Sequence, residues 1–130
     1  MNSQKFRMKL RGYISSRAFM SERVPQNVQN TVIREYCIKN NFQYLLSVTE
    51  YAMDNSSCVL QELVENLSDI DGIVLYSLFQ LPKDQRTRLH CLSKIISSNK
   101  QLHFASESIK VVTELDVHRL ELIWFVRKGV

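Results

Sequence analysis

Strand-like and helix-like stretches alternate along the chain. Residues 10–16 (LRGYISS) predict a first strand, and a polar loop runs on to Val24. Pro25 suits a first helical turn, after which Val28, Val32, Ile33, Tyr36 and Cys37 fall at helical spacing. Residues 42–49 (FQYLLSVT), bounded by Asn40-Asn41, are rich in aromatic and β-branched side chains and predict a second strand. Asn55-Ser56-Ser57 offers caps to a second helix, with Val59, Leu60, Leu63, Val64 and Leu67 on one face. Residues 73–81 (IVLYSLFQL) form the most continuous apolar run, the pattern of a central parallel strand covered on both faces. Pro82 then predicts the opening of a third helix, with Leu89, Leu92, Ile95 and Ile96 inward and Lys83, Arg86, Arg88 and Lys94 outward. Residues 102–105 (LHFA) predict a short fourth strand. Thr113-Glu114-Leu115-Asp116 resembles a capping box that opens a last helix reaching about Lys128.

Strand and helix repeated in this order predict an α/β fold: one domain over residues 1–130, built on a small doubly wound parallel sheet of four strands. The expected strand order is 2-1-3-4, in a three-layer sandwich with helices on both faces.

Composition narrows the functions this fold could carry. The chain has 130 residues, 45% of them hydrophobic, enough for a core that needs neither disulfides nor metal. Glycine occurs only at Gly12, Gly72 and Gly129, so no GxGxxG or GxxxxGK[ST] phosphate loop exists. A Rossmann dinucleotide site and a P-loop NTPase are excluded. Cys37, Cys58 and Cys91 lack CxxC spacing and sit in apolar stretches, the pattern of buried free thiols in a reducing compartment. The first residues hold no apolar signal-peptide core, and no run reaches the ~18 apolar residues of a membrane span. A cytoplasmic protein is therefore expected, with no membrane partner, no metal and no cofactor.

Charge is segregated along the sequence. Residues 1–40 carry a net +6, residues 41–82 a net −6 with no Lys or Arg, and residues 83–130 a net +4. No continuous basic stripe appears, so nucleic acid is not expected as a partner.

In doubly wound sheets, ligands bind at the carboxyl ends of the strands where the winding direction reverses. The expected order places that point between the first and third strands, at Ser15-Ser16-Arg17 and Ser77-Leu78-Phe79-Gln80. Arg23 in the following loop and the helix opening near Pro25 point to the same crevice. Arg17 and Arg23 suit an anion, while Ser15, Ser16, Ser77, Gln26 and Gln80 suit hydroxyls or a carbonyl. Glu50, Tyr51 and Ser16 are the candidate catalytic groups, with Glu107 a further acid on the rim. His103 is expected to be a core histidine with a backbone partner, and Phe79, Trp124 and Phe125 core or interface anchors. Leu115, Leu120, Leu122, Ile123, Trp124, Phe125 and Val126 make the last helix apolar on more than one face, which points to a homo-oligomer or a partner enzyme.

The strings RGYISSRAF, RVPQNVQN, YLLSVTEYAM, DGIVLYSLFQLP and LHFASES resemble the "sporadic carbohydrate cluster" family of bacterial surface-polysaccharide loci. That resemblance implies a role in making or modifying a lipopolysaccharide or capsule sugar. The family's polar positions fall here on Arg11, Ser15, Ser16, Arg17, Arg23, Gln26, Gln29, Asn30, Glu50, Tyr51, Ser77 and Gln80. Gly12-Tyr13, the glutamines of residues 25–30 and the LHFASES string also resemble, more distantly, the catalytic domain of serine recombinases (resolvases). That family opens with tyrosine, any residue, arginine, valine and a nucleophilic serine, whose last three positions read Ser15, Ser16 and Arg17 here. Its later aspartate-arginine-leucine motif reads Phe79-Gln80-Leu81. This second resemblance implies the fold, resolvase- or flavodoxin-like, without strand exchange.

The leading expectation is an enzyme of surface-carbohydrate biosynthesis acting on an acidic or phosphorylated sugar or a sugar nucleotide, its reaction type open. A non-catalytic assembly subunit of a sugar-biosynthesis enzyme and a relic recombinase-like nucleic-acid binder stand beside it.

Overall fold

The computed structural model describes residues 7–16, 18–19, 23–50 and 57–127. Among these residues, five strands form one sheet in the order β2-β1-β3-β4-β5. They are β1 (Lys9–Ser15), β2 (Gln43–Glu50), β3 (Gly72–Leu75), β4 (Gln101–Phe104) and β5 (Ile109–Val111). The helices are α1 (Gln26–Lys39), α2 (Cys58–Val64), α3 (Gln85–Ser97) and α4 (Glu114–Arg127), and a 3-10 turn spans Leu78–Gln80. The first four strands are parallel in the expected order, while β5 adds an antiparallel edge that the sequence pattern did not reveal.

Alternation along the strands builds two cores. Tyr13, Ile73, Leu75, Leu102 and Phe104 face α2, α3 and α4. Leu10, Ile14 and Val74 face α1, which contributes Ile33 and Cys37. The three layers are therefore lopsided, with one helix on one face and three on the other. Burial raises the thiol pKa of Cys37 to about 11; burial and the Glu65 charge do the same for Cys91. Both stay protonated and serve as packing groups. Cys58 is exposed, contrary to expectation.

Several boundaries differ from the sequence pattern for local reasons. The third strand stops at Leu75 because Ser77 and Gln80 close a capping box around the 3-10 turn. Pro82 lies before α3, which opens at Gln85 on the Asp84 cap, whose Oδ2 accepts from the Thr87 N–H at 2.9 Å. Of the proposed caps for α2, Asn55 and Ser56 lie outside the described residues, and Ser57 makes no side-chain cap bond. The expected capping box of α4 is present in altered form. Asp116 Oδ2 accepts from Val112 and Thr113 N–H, and Asp116 N–H donates to Thr113 Oγ1. In α1 Val28, expected on the apolar stripe, is 41% exposed, and the polar Gln29 is buried beside Ile33 and Cys37 instead.

Gly12 sits where β1 slips register against β2. A Cβ there would collide with Ser47 Oγ, which donates to Asn30 Oδ1 of α1 at 2.7 Å. The bare glycine thus lets a polar cluster of Ser47, Tyr44 and Asn30 close between strand and helix.

Arg88, expected outward, is buried. Its Nε and Nη2 donate to the Glu121 carboxylate at 2.7 Å each, and Nη1 donates to the carbonyls of Pro82 and Lys83. The guanidinium also lies 4.4 Å from the Trp124 ring centroid. Burial is the largest single influence on Glu121 and raises its pKa, but the hydrogen bonds from Arg88 and Gln85 and the Arg88 charge together lower it below the usual value. A two-pronged pair of this kind fixes α3 to α4 in one geometry.

His103 is buried, and its partners are side chains rather than backbone. Nδ1 accepts from Tyr36 Oη at 2.7 Å, and Nε2 donates to Gln101 Oε1 at 2.9 Å. Burial first, then the Lys110 charge opposite on β5, lowers its pKa from 6.5 to about 4. The unfolded chain therefore binds a proton that the native state refuses across this interval. Stability from neutral His103 is complete above about pH 6.5 and lost as the pH falls toward 4. At ~1.4 kcal/mol per unit the loss is about 3 kcal/mol. Denaturant titrations at pH 7 and near pH 4.5 should show this drop in the native chain. His103→Gln should start less stable and show a clearly shallower dependence.

Candidate functional site

The β1–β3 pairing ends at Tyr13↔Leu75, yet β1 continues to Ser15. Beyond that point a side chain replaces the neighbouring strand. Ser15 N–H donates to Gln29 Oε1 at 3.1 Å, and Gln29 Nε2 donates to Ser15 O at 2.8 Å. The same Nε2 donates to Val24 O at 2.9 Å, holding the end of the β1–α1 loop. Gln80 reaches in from the 3-10 turn, its Nε2 donating to Gln29 Oε1 at 2.8 Å and to Ser15 Oγ at 2.9 Å. Gln80 Oε1 accepts from Ser77 N–H at 3.0 Å. Ser15, Gln29 and Gln80 have no solvent exposure. Both amide hydrogens and both oxygen lone pairs of Gln29 are engaged, so that side chain has no capacity left for a ligand.

A second cluster fixes the turn from the other side. Glu107 accepts from Ser77 Oγ at 2.7 Å and from Leu78 N–H at 3.1 Å, tying the β4–β5 turn to the turn after β3. A third closes the end of β2. Glu50 is buried and accepts from Tyr13 Oη at 2.6 Å, Val59 N–H at 3.1 Å and Leu60 N–H at 3.1 Å. Its carboxylate thereby caps the first turn of α2, the function expected of Ser57.

The topology brings Ser15, Ser16, Ser77, Gln80, Glu50 and Glu107 to one sheet edge as expected, but gives them different work. Ser15, Ser77 and Gln80 are buried in internal hydrogen bonds instead of lining an open crevice. Glu50 is buried and accepts three hydrogen bonds, and Glu107, half-buried, accepts two that hold the turn after β3. Ser16 Oγ donates to the Glu50 carbonyl at 3.3 Å, and no described acid or base accepts its proton. Gln26 is exposed and takes no part in the network. Arg23 is exposed and donates to Ser16 O at 3.1 Å. Arg17 and Tyr51 lie outside the described residues. Gln29, the centre of the network, was singled out in the sequence only as one of the polar positions of the carbohydrate-cluster resemblance. Its helical spacing to Ile33 and Cys37 was a second signal.

A concave surface of about 440 Å³ is lined by Ser57, Pro82, Lys83, Asp84 and Thr87, in the segments that follow the carboxyl ends of the strands. A larger apolar groove of about 530 Å³ lies between Phe79 and Leu122, Ile123, Val126 and Arg127 of α4. Phe79 turns away from the network and packs edge-on against Trp124 at 5.3 Å. Among the described residues, no three His, Cys, Asp or Glu side chains gather as a metal site requires, and no helix is long and apolar enough to cross a membrane.

No protein-family model matches the sequence, and no curated protein does. Several solved structures share its fold, among them two recombinase domains. The N-terminal catalytic domain of TP901-1 integrase matches at 16% identity and TM-score 0.63, over 91% of this chain and 94% of that one. A resolvase family site-specific recombinase from Streptococcus pneumoniae matches at 11% identity and TM-score 0.61, over 92% and 88%. The architecture is thus that of a recombinase catalytic domain. This likeness overturns the expected role in surface-carbohydrate biosynthesis, with its lipopolysaccharide setting and its sugar or sugar-nucleotide partner. It also removes the ground for setting nucleic acid aside as a partner.

Deleting the central amide tests the saturated network. Gln29→Ala leaves Ser15 N–H, Ser15 O and Val24 O without this partner, at an expected cost of about 2–4 kcal/mol. Gln26→Ala should stay within ~0.5 kcal/mol. Guanidinium denaturation of both variants measures the difference.

Proposed function

We propose that this chain is a non-catalytic domain of the recombinase fold that works by associating with duplex DNA. The observation that carries the reading is the closed, uncharged Ser15–Gln29–Gln80 network at the strand edge. By the resemblance to serine recombinases, Ser15 and Gln80 stand where that family has arginines, and Arg17 where it has its nucleophile. Neutral amides and hydroxyls already bonded to one another stabilise developing phosphoryl charge far less than free guanidinium groups.

Charge remains around this edge at its rim. Arg23, Lys83 and Arg86 are exposed there, and no ion pair among the described residues holds any of them. Rim cations around a closed centre suit attraction of a phosphate backbone without chemistry upon it. The sequence pI of about 9.1 agrees with such a partner. We place the protein in the cytoplasm, where three free thiols and a nucleic-acid partner are compatible.

Fluorescence anisotropy with a labelled duplex should show binding at ~50 mM salt that weakens steeply by ~200 mM. Replacing Arg23, Lys83 and Arg86 with Ala should reduce the log–log salt slope by about 0.9 for each phosphate no longer neutralised. No detergent-stable protein–DNA adduct should form. A native chain that fails to bind at low salt, or one that forms such an adduct, contradicts the reading.

A further inference from the structure

α3 turns Arg88, Cys91, Leu92 and Ile95 inward. Its helical repeat therefore places Arg86, His90 and Lys94 along the outward flank, one per turn and roughly 5–6 Å apart. Lys83, in the turn before the helix, continues the line toward the carboxyl edge of the sheet. Among the described residues, one acid pairs with the far half of this ridge. Glu65, just past the end of α2, lies with Oε1 3.0 Å from Lys94 Nζ and Oε2 3.9 Å from His90 Nε2. All three side chains are well exposed, at 51% for Glu65, 40% for Lys94 and 60% for His90. Exposed pairs of this kind contribute little to stability. Their larger effect is on the field that an approaching polyanion meets. Arg86 forms no ion pair among the described residues; the nearby Asp84 carboxylate caps α3 through Thr87, and the Arg86 charge acts on it only at longer range.

We infer that the DNA-contacting surface runs from the rim of the sheet down this flank of α3, through Lys83, Arg86, His90 and Lys94, and that Glu65 restrains it. The inference rests on the DNA-binding reading above. In the resting chain Glu65 occupies Lys94 and screens His90, leaving Lys83 and Arg86 as the open half. A phosphate backbone laid along α3 competes with a single carboxylate for the other half.

The test is a gain of affinity, which a merely damaged fold cannot produce. Glu65→Gln should tighten binding of a labelled duplex at ~50 mM salt by about threefold or more. It should steepen the salt slope by about 0.9 as Lys94 is freed. Adding Lys94→Gln to Glu65→Gln should remove most of that gain. Glu35→Gln makes the same charge change on α1, across the sheet, and should alter neither quantity. Equal gains from Glu65→Gln and Glu35→Gln, or none from Glu65→Gln, overturn the inference. If Arg23→Ala weakens binding while Glu65→Gln does nothing, contact at the strand edge stands and the α3 ridge falls. If the native chain does not bind the duplex at ~50 mM salt, both fall.

Discussion

After Leu75 the third strand turns away, and the last peptide groups of the first strand face the interior without a neighbour. A buried N–H or C=O left in that state costs roughly 1–3 kcal/mol. Gln29 meets both demands with one side-chain amide, which acts as a peptide unit borrowed from the helix. The start of α1, the end of β1 and the loop at Val24 are thereby held at one point. Gln80 can fill the remaining acceptor position only if the turn after β3 is tight enough to deliver it, which the capping box at Ser77 ensures.

That turn faces two ways. Gln80 points into the amide network, while its neighbour Phe79 packs on Trp124 of α4. Trp124 is in turn covered by Arg88, whose fork holds Glu121. A chain of direct contacts thus joins the strand edge to the last helix. Among the described residues, the side chains at the centre of this edge, Ser15, Gln29 and Gln80, are neutral, and Glu50 and Glu107 accept at a helix start and a turn. Exposed cations are left to the periphery, where they interact with whatever approaches from solvent.

Much of the parallel sheet was legible in the sequence because each strand alternates between two cores and the crossover helices separate the strands in order. The fifth strand was not. Ile109-Lys110-Val111 is too short to show a period, and it is defined by pairing with β4 across a turn that places Ser108 at φ 56. Arg88 was misplaced because its charge argues for solvent, and the partners that make burial tolerable, above all Glu121 and Trp124, are distant in sequence. Glu50 was read as chemistry because a carboxylate at a strand end carries no mark of the helix it caps. The candidate edge was found from topology, but whether it was open or filled could not be.

By itself the sequence determined the layers, the strand order of the parallel sheet, the absence of a glycine phosphate loop and the polar residues that gather at one edge. These follow from periodicity and residue type, which act over a few neighbouring positions. Only the tertiary structure decided that those polar residues satisfy one another. Hydrogen-bond capacity is spent pairwise, and Ser15, Gln29 and Gln80 meet only after strand, helix and turn have packed.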